Sequence, residues 1–247
     1  MQQRALITLA LGLTLVLVLA LVAVFLLAPR VSDGTGGTAD VAATWGPPAT
    51  LPARAAEPTG PGVQGLVDPL WLADTAESTG IPALTLSAYA GVAIAKNDQM
   101  ASCGLGWNTL AAIGWAESRH GTHGGSVVGP DGTVSPAIIG VALDGGSTEV
   151  ITDTDGGVID GDTEHDRAVG PMQLIPQTWK NWHVDANADG VEDPQNIVDA
   201  AMASANYLCR SSGDMTTESG WRAGVAAYNS APAYIAKVAQ AATDYGP

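Results

Sequence analysis

Charge is scarce in this 247-residue chain: 14% of its residues are Asp, Glu, Lys or Arg, and ten basic residues face twenty-five acidic ones. The formal charge of −15 repels phosphate backbones at neutral pH, which argues against nucleic acid as a partner. Aromatic residues make up only 5%, and cysteine is limited to Cys103 and Cys209. Two cysteines are too few for a disulfide-dense scaffold, and their separation excludes a CxxC metal or redox motif, so one bridge or two free thiols remain. The apolar share, 46%, suffices for one domain of ordinary size with accessories but not for two large ones.

One segment lacks charge altogether. Residues 5–28 are apolar apart from Thr8 and Thr14. As a helix rising 1.5 Å per residue they span about 36 Å, enough to cross a hydrocarbon core with some tilt. A cleaved signal peptide has a shorter apolar region and an A-x-A-like site, which Leu26, Leu27 and Ala28 do not supply. The segment therefore reads as an uncleaved single transmembrane anchor, with 1–4 as a cytoplasmic tip. Arg4 before it and Arg30 after it bias the orientation only slightly toward N-inside. Residues 29–66 hold six prolines and seven glycines and read as a disordered Pro/Gly/Ala/Thr-rich linker. Its root-mean-square span would be roughly 35 Å. Positions 1–66 carry three acidic and three basic residues, so the whole net charge belongs to a folded domain over 67–247.

Within that domain helical signals dominate. A helix opening at Pro82 places Leu86, Tyr89, Ala90, Ala93 and Ile94 on one stripe. A second, from Asn108 as N-cap to Arg119 with Gly121 as its stop, carries Leu110, Ile113, Gly114 and Glu117 at i, i+3, i+4, i+7. A third is expected over Ile197–Arg210, with Ile197, Ala201, Ser204, Ala205 and Leu208 inward, and two more around Trp221–Tyr228 and Pro232–Ala241. Between the second and third, residues 121–170 are rich in Gly and Asp, with short β-branched pieces (Val127-Val128, Ile138-Ile139, Val150-Ile151, Val158-Ile159). The class is mainly α with a small irregular β insertion.

A carboxylate ending an apolar stripe is the anomaly. Ala111, Ala112, Trp115 and Ala116 leave little polar surface around Glu117, and Gly114 one turn earlier opens space for something to approach. Apolar surroundings disfavour the charged form, so the group stays protonated near neutrality. Cleaving a glycosidic bond needs such an acid, because the leaving oxygen must receive a proton.

These residues carry a resemblance. Glu117-Ser118-Arg119-His120-Gly121 resembles the ESxxG signature of the lytic murein transglycosylases. Gly170-Pro171-Met172-Gln173-Leu174-Ile175-Pro176 with Trp179 resembles their GPMQ block. Asp199-Ala200 with Ala205-Asn206-Tyr207-Leu208, and then Ala227-Tyr228-Asn229, resemble the third and fourth motifs, all in the family's order. The resemblance is nearest to the soluble lytic transglycosylase-like catalytic domain of the B-type branch and its actinobacterial relatives. It implies an α+β lysozyme-like fold, no required cofactor, and peptidoglycan glycan strands as the partner.

Carried over by position, the resemblance makes Glu117 the single acid/base that cleaves the β-1,4 bond between N-acetylmuramic acid and N-acetylglucosamine and closes a 1,6-anhydro ring. It puts Ser118, Met172, Gln173, Tyr228 and Asn229 on the substrate, with Tyr228 and Asn229 also holding the catalytic carboxylate. The departure from the family is the stretch of about fifty residues between the first two motifs. Its Asp131, Asp144, Asp153, Asp155, Asp160 and Asp162 keep open a hydrolytic muramidase, which needs a second carboxylate. A non-catalytic wall-binding protein is the other alternative, disfavoured because a buried carboxylate costs stability unless it is used.

Asp185, Asn187, Asp189 and Gly190 occupy positions 1, 3, 5 and 6 of an EF-hand loop, with Val191 at 7 and Asn196 at 12 in place of the bidentate glutamate. The resemblance puts a cation loop here in the B-type branch, making a weak structural calcium site the expectation beside a plain set of Asx turns. The Asp153–Asp162 segment reads as a solvated hairpin tip. His120 and His123 straddle the helix end at Gly121, against a zinc site. An anchor and an extracytoplasmic substrate favour a Cys103–Cys209 bridge, whose long loop would contribute roughly 4 kcal/mol.

Overall fold

The computed structural model describes residues 43–146 and 148–246. The expected tip, anchor and first part of the linker lie outside them. Among the described residues no single helix is long and apolar enough to cross a membrane.

Seven α-helices and two small sheets make up the described chain. Helix α1 (Pro69–Thr79) begins where the Asp68 carboxylate accepts from the amides of Leu70 and Trp71 at 3.0 and 2.9 Å, with Pro69 preset in the first turn, and stops at Gly80 in left-handed conformation. Helix α2 (Ala83–Gln99) buries every residue from Thr85 to Lys96. The expected stripe lies inside that run, but the helix is central and covered on all sides. Helix α3 (Trp107–Ser118) starts two residues earlier than expected, with Gly106 as its N-cap. Asn108 is not its cap: the side-chain amide accepts from Ala49 N at 3.0 Å and donates to the carbonyls of Pro47 and Ala242 at 2.9 Å each. The helix ends at Ser118 because Arg119 turns left-handed (φ 55°), two residues before Gly121.

Helix α4 (Pro176–Trp182) follows the GPMQ block. Helices α5 (Ile197–Ser212), α6 (Glu218–Tyr228) and α7 (Pro232–Tyr245) complete the chain, α5 and α6 capped by the side chains of Asn196 and Thr217. The inward residues expected on the third helix are all buried on α5. Helix α3 packs chiefly on α7, α2 on α5, and α5 on α6, around a core that includes Trp221, Tyr89, Leu86, Leu110, Ile113 and Leu208.

The insertion forms two antiparallel pairs, β1 (Val127–Val128) with β2 (Val134–Ser135) and β3 (Ile139–Ala142) with β4 (Arg167–Val169). Val150 makes only an isolated bridge to Asp144, and Val158-Ile159 lies among turns.

The described part of the expected linker, 43–66, is a correction to the sequence reading, because it packs on the domain. Ala55 N and Asp68 N bond Leu66 O and Ala53 O at 2.9 Å, and Val63–Leu66 makes a 3₁₀ turn against α2. Gly91 on α2 permits that approach: a Cβ there would stand 2.2 Å from Val63 O. Proline and glycine counts register chain stiffness and freedom, not the small-residue face of α2 that receives this segment.

Cys103, just before α3, is bridged to Cys209 on α5 across 106 residues. Cutting a loop of that length releases unfolded-chain entropy worth about 4 kcal/mol. Cys103→Ala/Cys209→Ala is therefore expected to melt about 8–16 °C below the parent, measured by circular dichroism. A shift under 3 °C would mean that the bridge adds little to helices already packed.

Candidate active site

The last turn of α3 presents Glu117 half-buried toward α7. Helix α7 lies antiparallel to α3, so its first turns reach the end of α3, and Tyr234 Oη–H donates to Glu117 Oε1. One turn on, Lys237 Nζ donates to the Ala116 carbonyl at 3.1 Å and sits 5.0 Å from the Trp115 ring, which Arg119 covers from 4.0 Å. Burial is the largest influence on Glu117 and raises its carboxyl; the Tyr234 hydrogen bond and the Lys237 charge pull it back, leaving it at about 7. A carboxyl poised there exists in both forms at neutral pH and can give a proton and then take one. With Oε1 held by tyrosine, Oε2 is the oxygen free to carry that proton.

Behind this site lies a polar cluster. Tyr89 Oη is 3.3 Å from His120 Nδ1, and His120 Nε2 is 3.0 Å from Tyr245 Oη. Burial drives the imidazole down to about 4, so it is neutral at pH 7, with one nitrogen donating and the other accepting.

The family model for the transglycosylase SLT domain matches residues 94–246, from the end of α2 through α7. The chain belongs to that family. Its members are lytic transglycosylases, and membership implies cleavage of peptidoglycan glycan. No curated protein and no solved structure gives a significant match.

Within the SLT domain, several motif residues stand elsewhere than expected. Ser118 is 1% exposed; its hydroxyl donates to Pro171 O at 2.6 Å and accepts from Gly121 N at 2.8 Å, tying α3 to the GPMQ loop. Met172 is fully buried, so its side chain supports α3 and does not line a groove. Gln173 is half-buried at a left-handed residue (φ 48°), its amide donating to Gly170 O at 3.0 Å. Tyr228 donates to Met172 O at 2.5 Å and pairs with Ser204 Oγ at 3.0 Å, so its hydroxyl is spent on the loop; Tyr234 holds the carboxylate instead. Asn229 is exposed at the end of α6, its Oδ1 accepting from Ala231 N at 3.0 Å. The space beside Gly114 is not open to substrate, because a Cβ there would lie 2.0 Å from Tyr89 Oη and 3.3 Å from Met172 Sδ.

Tyr234 and Lys237 were not singled out from the sequence, and Trp115 was named only as apolar surface around Glu117. The spacing of Tyr234 and Lys237 on a predicted helix, i and i+3, places both on one face, but only the α3–α7 pairing shows what that face meets.

The Asp185 loop keeps part of a cation-loop pattern. Asp185 accepts from the amides of Asp189 and Gly190, and Asp189 Oδ1 accepts from Val191 N. The set does not complete a calcium shell, however. Asn196 caps α5 through Oδ1 and gives Nδ2 to Asp131 O at 3.0 Å, while Asn187 Nδ2 occupies Asp189 Oδ2 at 2.8 Å. The fully buried Asp199 organises the loop, accepting from Ala186, Asn187 and Asp193 amides, with burial raising it to about 6. The segment expected as a solvated hairpin tip is more ordered than that. Asp166 beside it is fully buried on the amide and hydroxyl of Thr154, and Asp160 takes Arg167 N at 2.6 Å. Ligand oxygens of Asp153, Asp155 and Asp166 lie within 4.8 Å of one another, but all three carboxylates already accept protein hydrogen bonds.

Proposed function

We propose that this protein is a membrane-anchored lytic transglycosylase of the B-type or actinobacterial branch. It cuts the β-1,4 bond between N-acetylmuramic acid and N-acetylglucosamine on the extracytoplasmic side, held there by residues 5–28. The observation that supports the chemistry is the tyrosine-held Glu117 carboxyl poised at about 7.

Protonated Glu117 gives its proton from Oε2 to the glycosidic oxygen as the C1–O bond of muramic acid breaks. The resulting carboxylate then accepts the proton of that sugar's C6 hydroxyl, whose oxygen bonds to C1 and closes the 1,6-anhydro ring. No water is consumed. Hydrolysis by inversion would need a base roughly 6.5–9.5 Å away to activate water, and retention a nucleophile about 5–5.5 Å away. The C6 hydroxyl, by contrast, belongs to the same molecule and gains from high effective molarity.

Digesting purified glycan in heavy-oxygen water tests this reading. The expected products are one water lighter than hydrolytic fragments and carry no oxygen label. Labelled reducing ends would make the protein a muramidase, and an intact glycan with a folded protein would make it a wall-binding protein.

A further inference from the structure

We infer that the SLT domain carries a second saccharide pocket, remote from Glu117, that takes a neutral N-acetylglucosamine unit of the glycan; the inference rests on the glycan reading above. A cavity of about 340 Å³ opens between α1, the start of α3, the end of α7 and the segment before α1. Trp71, Trp107 and Tyr245 supply its aromatic walls, and Thr50, Thr75 and Asp244 are among its polar groups. Its size is that of a ligand cleft, roughly 300–1,000 Å³. Trp107 stands ten residues before Glu117 on α3, about 15 Å along the helix axis, so the cavity is not part of the catalytic site.

The indole of Trp107 points to a ligand independently of shape. Its side chain is 3% exposed, yet it makes no hydrogen bond to any described residue, whereas the equally buried Trp221 gives its N–H to Thr109 Oγ1 at 3.1 Å. The Trp107 ring lines the cavity. An acetamido carbonyl or sugar hydroxyl entering the cavity offers this N–H an acceptor.

Charge narrows the choice of sugar. Among the described residues lining the cavity none is basic, and Asp244 places a carboxylate at its edge. A phosphate, or the lactyl carboxylate of N-acetylmuramic acid, meets repulsion there. An uncharged ring with an apolar face for the aromatic walls and hydroxyls for the threonines does not.

The test follows the tryptophan indole signals of the full chain, in detergent and carrying Glu117→Gln, as the β-1,4-linked trimer of N-acetylglucosamine is added. Trp115 reports on the catalytic end, and Trp71 with Trp107 on the cavity. The Trp107 signal should titrate with its own affinity. Ser78→Trp on α1 and Thr50→Trp in the segment before it, both exposed lining positions, should each weaken that titration at least tenfold while leaving Trp115 and the melting temperature unchanged. N-acetylmuramic acid at low salt should move Trp107 at least tenfold less readily than N-acetylglucosamine does. A Trp107 signal that stays fixed, or that moves only with Trp115 and ignores both variants, overturns the pocket. Equal response to the two monosaccharides overturns the charge selection. Product analysis of the parent protein is a separate measurement, so unlabelled anhydro ends with a silent Trp107 would sink the pocket alone.

Discussion

Glu117→Gln is expected to lower turnover on peptidoglycan glycan by roughly 10²- to 10⁴-fold while leaving the fold intact. The amide keeps the size of the side chain and can still accept from Tyr234, but it has no proton to give to the leaving oxygen. The variant should also respond differently to pH. In the parent the folded carboxyl sits at about 7, above its ordinary 4.5. Between those values the folded state binds more protons than the unfolded state, so this group's contribution to stability falls as pH rises through that window. Glutamine removes that slope, and near pH 7 the inactive variant should be no less stable than the parent.

The same poised proton sets the activity profile. Because the protonated form starts the reaction, kcat/KM should fall about tenfold per unit above pH 7. Lys237→Met removes the cation that pulls Glu117 down, so its alkaline limb should move to higher pH with KM little changed. A parent whose kcat/KM is flat from pH 6 to 9, or a glutamine variant with near-normal turnover, would take Glu117 out of the mechanism.

How much of this was legible in the sequence depends on the kind of feature. The stripe on α5 was readable because helical periodicity records burial directly: Ile197, Ala201, Ser204, Ala205 and Leu208 are all fully buried, whereas on α2 every residue from Thr85 to Lys96 is buried and the stripe marks no single face. Helix α1 escaped notice although Asp68, Pro69 and Gly80 are its stop and start signals, since it buries no residue completely and shows no apolar stripe. The motif residues were found, but a motif gives identity without direction. Ser118 and Met172 prove to be braces between α3 and the GPMQ loop, and Tyr228 spends its hydroxyl on that loop. The tyrosine that does hold Glu117 lies 117 residues away in sequence, and only the antiparallel seating of α7 on α3 brings it there.

Gly114→Ala is the second large effect expected, and it tests that brace from within the core. The position lies one turn before Glu117 on α3, and the added methyl would meet Tyr89 Oη at 2.0 Å and Cζ at 2.8 Å. Tyr89 is fully buried on the central helix, so the ring cannot withdraw into solvent. Either α3 is pushed off α2 or the Tyr89–His120 hydrogen bond breaks. Overpacking costs about 1–3 kcal/mol and an unpaired buried hydroxyl about as much again, so with both the total is about 2–6 kcal/mol. That corresponds to a melting point about 4–24 °C lower. Displacing α3 also carries Glu117 away from Tyr234, so turnover should drop in the fraction that stays folded. Tyr89→Phe alone should cost about 1 kcal/mol through the lost His120 partner. In the double variant the hydroxyl that clashed is gone, so the two costs should sum to at least 1 kcal/mol less than their separate values, with part of the turnover restored. Strictly additive costs would mean that Gly114 is needed for some reason other than the tyrosine behind it, and the packing of the catalytic helix on α2 would then have to be drawn differently.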